Sequence, residues 1–229
     1  MPAPISVIIP AFKSAEDLPA CLSHLFPGLE AGLIREVIVS GVPSNDATRD
    51  IAEAAGAIWV EGEKGRGTQL KHGAEVARGD WLLFLHVDTW LDPAWCGAAK
   101  AHIASEEEKA GAFQLAFRST LWRARWVAGL ANLRSRLLGM PYGDQGLLIS
   151  RTLYDRIGGY HAVPLMEDVS IARRIGRGRL AILPAIARTS GARQEADGWL
   201  KRSFQNIWLV ARYFCGTDPQ ALAKAYYRE

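Results

Sequence analysis

In the first half of the chain, short apolar runs alternate with segments whose apolar residues recur every three or four positions. Ile5 to Pro10 is apolar and reads as a buried strand, while Leu18, Leu22, Leu25 and Phe26 fall on one face of a helix predicted over Ala15 to Phe26. The same periodicities predict strands at Glu36 to Ser40 and Ala57 to Val60, helices at Asp46 to Ala55 and Gly67 to Ala77, and an intensely apolar strand at Trp81 to Leu85. Fully apolar strands separated by helices must be covered on both faces. The expected class is therefore α/β, a Rossmann-like and mostly parallel central sheet flanked by helices.

The second half is less regular. It predicts strands at Phe113 to Phe117, Gly146 to Ser150 and Leu180 to Leu183. Helices are expected from about Ser119 to Leu138 and at Arg151 to Ile157, Asp168 to Ile175 and Gly198 to Tyr213. A closing helical segment follows over Ala221 to Tyr227. No linker-like tract or internal repeat divides the chain, so the expectation is one domain over 1–229, with lobes at 1–90 and 91–229.

Composition narrows the function classes. With 229 residues, 49% hydrophobic and 22% charged, the chain has the make-up of a globular protein and excludes disorder, collagen and coiled coil. A formal net charge of +3 is too small to argue for nucleic acid. Cys21, Cys96 and Cys215 are odd in number and form no CxxC pair, which points away from a disulfide framework or a zinc site and toward a reducing cytoplasm. The start Met1-Pro2-Ala3-Pro4 lacks the basic flank and cleavage site of a signal peptide, and Asp88 and the later arginines break every run long enough to span a membrane.

Ligands of open α/β sheets sit beyond the carboxyl ends of the strands, so residues there carry the candidate chemistry. His86 and Asp88 follow the strand Trp81 to Leu85, and alternation turns both toward one site, where they would hold a divalent cation or serve as an imidazole and a helix cap. Gly65, Arg66, Gly67 and Gln69 precede a helix, a setting for a phosphate or for a surface turn; the motif is neither a P-loop nor GxGxxG. Asp144 and Gln145 precede a strand, and Glu167 and Asp168 open a helix. There the dipole favours either simple capping or an ionised general base.

In order along the chain, Ser6-Val7-Ile8-Ile9-Pro10-Ala11-Phe12-Lys13, Glu36-Val37-Ile38-Val39, Ser44-Asn45-Asp46-Ala47-Thr48 and Leu83-Phe84-Leu85-His86-Val87-Asp88-Thr89 resemble the nucleotide-sugar half of family-2 glycosyltransferases. Asp144-Gln145-Gly146, Pro164-Leu165-Met166-Glu167-Asp168 and Thr189-Ser190 with Arg193 resemble the acceptor half of a bacterial subgroup, the radical-SAM/selenodomain-associated glycosyltransferases. The resemblance covers nearly the whole chain. It implies the GT-A fold, a nucleoside diphosphate sugar donor, and Mg2+ or Mn2+ as cofactor. It places Pro10 and Phe12 near the base, Gly65 to Gly67 near the nucleotide, Asp88 on the metal with His86 at the first acidic position of DxD, Asp168 as catalytic base and Gln145 at the acceptor or leaving-group site. The acceptor is a hydroxyl of unnamed identity, a lipid-linked one among the options. One departure stands out: Val39-Ser40-Gly41-Val42-Pro43-Ser44 lacks the family's base-recognising aspartate, and only Asp46 matches its later acid. Backbone groups with Ser40 and Gly41, or an altered donor, would then serve. Alternatives are a nucleotidyltransferase, which would need a basic loop that Lys13 alone does not make, and a non-catalytic binding module.

Arg118, Arg123, Arg125, Arg134 and Arg136 are interleaved with Leu121, Trp122, Trp126, Leu130, Leu133, Leu137 and Leu138, with no acid between Phe117 and Tyr142. Such a helix either packs its apolar stripe on the sheet with the arginines solvated, or docks at the inner face of a membrane. The aromatic residues Trp199, Phe204, Trp208, Tyr213 and Phe214 point to core or homodimer contacts.

Overall fold

Strand β1 (Ile5–Ala11) is buried along its whole length. It lies in the sheet with β2 (Ile34–Gly41) on one side and β4 (Trp81–Phe84) on the other, both parallel to it. Adjacent residues of β1 serve opposite faces, as the pleat requires: Val7 and Ile9 join one core cluster and Ile8 the other. The coordinates are a computed structural model that describes residues 2–105 and 108–226. Tyr227, in the expected closing helix, lies outside the described residues.

The remaining strands are β3 (Ile58–Glu61), β5 (Thr89–Leu91), β6 (Ala110–Phe117), β7 (Leu147–Ser150) and β8 (Leu180–Thr189). They complete one eight-stranded sheet in the order β3-β2-β1-β4-β7-β6-β8-β5. β7 pairs antiparallel with both β4 and β6, and β5 antiparallel with β8, so the other six strands all point one way. The fold is α/β with a mostly parallel sheet, as expected.

The helices are α1 (Leu18–Ser23), α2 (Phe26–Glu30), α3 (Thr48–Ala54), α4 (Arg66–Val76), α5 (Trp95–Ser105), α6 (Trp122–Leu138), α7 (Arg151–Arg156), α8 (Glu167–Ile175), α9 (Ala192–Asp197), α10 (Trp199–Phe214) and α11 (Pro219–Tyr226). Those of the first core cluster include α1, α3 and α5, through Leu18, Ala52 and Trp95; α4, α7 and α8 cover the other face through Leu70, Leu153 and Ile171. The helix expected over Ala15 to Phe26 is two short ones. Pro19 and Pro27 each sit in the first turn of their helix, and Pro27 has no N–H with which to continue α1 into α2. β5, α5 and α9 did not emerge from the periodicity, and β8 extends well beyond Leu183.

The largest departure is α6. It buries Ala124, Ala128, Ala131 and Ser135 against β6 and leaves its large apolar residues outside. The expectation that an apolar stripe would pack on the sheet is overturned: small residues let the helix approach closely, and Trp122, Trp126 and the leucines face away. Two arginines of the expected basic face are also turned inward. Arg118 pairs with Asp17 at 3.3 Å and lies over the Trp90 ring, and Arg134 lies over Tyr142 and donates to the Met140 carbonyl.

Candidate active site

Because six strands share a direction, the loops after them open at one edge of the sheet. There a cleft of about 620 Å³ collects Phe12 and Lys13 after β1, Lys64 to Arg66 after β3, His86 and Asp88 after β4, and Ser190 and Arg193 after β8. Antiparallel β7 begins at this same edge, Leu147 pairing with Phe84, which delivers Asp144 from the turn before it. Glu167 and Asp168 arrive on the first turn of α8. Motifs some eighty residues apart in sequence thus share one cavity.

The turns that aim these groups are strained. Lys13 and Met166, both lining the cleft, are the non-glycine residues with positive φ among those described, at 50° and 67°. Left-handed backbone at a bulky residue persists only where surrounding contacts enforce it. Gly143 is required for a different reason: a Cβ there would fall 2.4 Å from His86 Nε2, so the turn before β7 closes directly on the imidazole.

Burial shifts three of the cleft carboxylates. Asp144 is half-buried at the cleft wall, its Oδ1 is shut away from solvent without a hydrogen-bond partner, and desolvation pushes its carboxyl up to about 6, with the charges of Asp168 and Asp88 adding to the rise and Arg134 opposing it. Glu167 is buried; desolvation raises its carboxyl above the usual range, and Arg66, 3.3 Å away, holds the rise in check. Asp88 is raised by burial and then by Asp17. Asp168 is half-buried. Its Oδ2 accepts from the Gly143 N–H at 3.1 Å and its Oδ1 from the Val169 N–H at 2.7 Å, and it lines the cleft. His86 is held well below its ordinary range by burial and by the charges of Arg66 and Arg193, which leaves a neutral imidazole.

Of the sequence-predicted residues, Pro10, Phe12, Gly65, Arg66, Gln69, His86, Asp88, Asp144, Glu167 and Asp168 line the cleft. The others lie beneath or beside it. Gln145 is fully buried: its Oε1 accepts from Ser135 at 2.6 Å and its Nε2 donates to the Phe113 carbonyl at 2.9 Å, so it holds the turn that presents Asp144. Ser40 is fully buried, its carbonyl accepting from Gln69 Nε2, and Gly41 is covered by Trp59, whose ring would lie 1.9 Å from a Cβ. Asp46 is committed to its own loop, bonded to Ser44, Thr48 and Ala15, and those bonds bring its carboxyl down to about 2. Gly67 packs under the carbonyls of His161 and Val163.

Residues missed from the sequence include Lys64, Asp17, Tyr142, Arg202 and Asn206. Lys64 and Lys13 flank the Phe12 ring at 4.5 and 5.8 Å, forming a basic mouth; both follow parallel strands, a positional signal that was available. Arg202 and Asn206 come from α10, and no local motif announces them.

Residues 6–163 match the family described as Glycosyl transferase family 2. The chain is 31% identical over 172 residues to a PGL/p-HBAD biosynthesis glycosyltransferase of Mycobacterium bovis, and equally to one of Mycobacterium tuberculosis; the match covers 70% of this chain and 65% of each relative. Among solved structures, TarS of S. aureus superposes with a TM-score of 0.62 at 18% identity, covering 82% of this chain and 60% of that one. Glucosyl-3-phosphoglycerate synthase from Mycobacterium tuberculosis, in complex with Mn2+ and UDP-glucose, gives 0.57 at 20% identity, with 82% and 70% covered. These neighbours share the GT-A architecture of a curled, mostly parallel sheet. By its sequence over residues 6–163 and by its fold, the chain belongs to glycosyl transferase family 2.

Proposed function

We propose that the protein is an inverting glycosyltransferase that moves a sugar from a nucleoside diphosphate sugar to an acceptor hydroxyl, with Asp168 as general base. The observation that carries this is the convergence of Asp88 and Asp168 with a basic rim of Lys13, Lys64, Arg66 and Arg193 in one cleft. The acceptor oxygen attacks the anomeric carbon, the bond to the diphosphate breaks, and the hydroxyl proton passes to Asp168. A single displacement with one base inverts the centre. Among the acids, Glu167 is buried against Arg66 and Asp144 has its Oδ1 shut away without a hydrogen-bond partner, whereas Asp168 lines the cleft and is oriented by two backbone amides. The basic rim faces the charge that develops on the departing diphosphate.

The residues fit a hard divalent cation. A neutral imidazole at His86 and a desolvated carboxylate at Asp88 offer donors, and Asp144 Oδ1 is an unpaired buried oxygen in the same cleft. No group of three or more His, Cys, Asp or Glu among the described residues is arranged to hold a metal alone, which suits an ion completed by diphosphate oxygens and water. Bound there, Mg2+ or Mn2+ would act as a Lewis acid on the leaving group. Glucosyl-3-phosphoglycerate synthase, with Mn2+ and UDP-glucose bound, supports this class of donor and cofactor.

Diphosphate release from a panel of nucleoside diphosphate sugars tests the reading. Asp168→Asn is expected to lower transfer by about 10²–10⁴-fold while nucleoside diphosphate affinity stays within a factor of two or so; near-normal turnover overturns the assignment. A second reading, a nucleotide-binding protein without turnover, is favoured by Gly41 under Trp59 where the family places a carboxylate. Binding without release from every donor would select it.

A further inference from the structure

We infer that α6 and α10 form a docking surface for an anionic lipid bilayer. A surface helix normally buries its large apolar residues, and α6 does the reverse. Its inward face is alanine and serine, and outward stand Trp122, 69% exposed, with Trp126, Leu130, Leu133 and Leu137. The neighbouring α10 repeats the pattern: Leu200, Phe204, Ile207 and Trp208 form an exposed stripe, with Phe204 at 71%. The two helices meet where Trp199 packs on Phe117 beside the buried alanines of α6. Apolar exposure on this scale marks an interaction site rather than ordinary surface.

Charge identifies the occupant. Arg123, Arg125 and Arg136 on α6 and Lys201 on α10 are exposed beside the stripes. No acid lies between Glu108 and Asp144, nor between Asp197 and Asp218. Tryptophan and leucine rimmed by arginine match the apolar boundary and anionic headgroups of a bilayer. A second copy fits less well, because a twofold interface would gather the same cations from both chains while α6 and α10 themselves supply no acid to pair them. No helix among the described residues is long and apolar enough to cross a membrane, so the contact is interfacial. The opposite side of α10 gives Arg202 and Asn206 to the cleft, so docking brings the cleft to the lipid surface. The inference does not depend on the transfer reaction.

Co-sedimentation with phosphatidylcholine vesicles, with and without phosphatidylglycerol, tests it. At low salt the protein is expected to pellet with the anionic vesicles, and salt should release it. Each neutralised arginine should cost about fivefold in partitioning, so the Arg123→Gln, Arg125→Gln, Arg136→Gln variant should bind about a hundredfold more weakly. Trp122→Glu with Trp126→Glu should lower binding more than tenfold. Melting temperature and nucleotide affinity should be unchanged in both variants, since these side chains are exposed and outside the cleft. Equal binding to the two vesicle types, or none to either, overturns the inference. So does a concentration-dependent dimer that the tryptophan variant dissociates, which would assign the face to a second copy.

Discussion

Asp144 is a cleft residue whose environment raises its carboxyl well above the ordinary range. Unfolded, its carboxyl titrates near 3.8; folded, near 6. The folded state therefore binds the proton more tightly. Below pH 4 both states are protonated and the group costs nothing; as pH climbs from about 4 to 6 the unfolded chain ionises first, and stability falls by an amount on the order of 2–3 kcal/mol. Urea unfolding of Asp144→Asn at pH 4, 6 and 7.5 should show the variant gaining that amount on the parent across this window. A constant difference between the two would remove the buried carboxyl as its cause. At this scale the sequence was legible at His86, Asp88 and Arg66, which follow strands and line the cleft, while Lys64 after β3 was passed over despite the same position. It was illegible at Gln145 and Asp46, whose motifs are intact but whose side chains are occupied with holding loops in place. A motif records which residue is needed and leaves open whether it touches the ligand or supports one that does.

Among the elements, helix-to-sheet distance is set by small residues. In α4, a Cβ at Gly73 would lie 2.4 Å from Ile8 Cγ2, a fully buried atom of β1, whereas in α5 the exposed Gly97 has nothing within 4 Å. Gly73→Val should therefore destabilise by about 1–3 kcal/mol through overpacking, while Gly97→Ala should stabilise by up to about 1 kcal/mol through helix propensity. Thermal unfolding of the two variants checks both signs. Apolar runs made β1 and β4 readable, because a strand buried along its whole length has no polar positions to confuse it; β2 and edge strand β3 were readable from their apolar residues although both carry exposed positions. Periodicity told less about α6. Its apolar count was evident, but which face meets the sheet depends on side-chain volume at the contact, and the alanines win by fitting β6 more closely. β5, three residues long, was too short to leave a pattern.

Across the whole molecule, the cleft links distant parts of the chain, so a ligand there should stabilise all of them together. A nucleoside diphosphate with Mn2+ is expected to raise the melting temperature by several degrees, following mass action. EDTA or Asp88→Asn should remove most of that gain. A nucleotide-induced shift indifferent to both would take Asp88 off the ligand list.

Strand β7 joins two regions that the sequence presents one after the other. It sits between β4 and β6, so β4 remains an open edge until residues 147–150 exist. That edge is Trp81-Leu82-Leu83-Phe84, four apolar residues without a charge to discourage another chain from pairing with it. During synthesis this segment must wait for more than sixty residues before its partner emerges, and its contacts are of the long-range kind that close slowly. A fragment ending after β5 should consequently self-associate rather than fold as a separate unit, and the arrangement that brings Asp144 to the cleft is also the one that exposes the growing chain to aggregation.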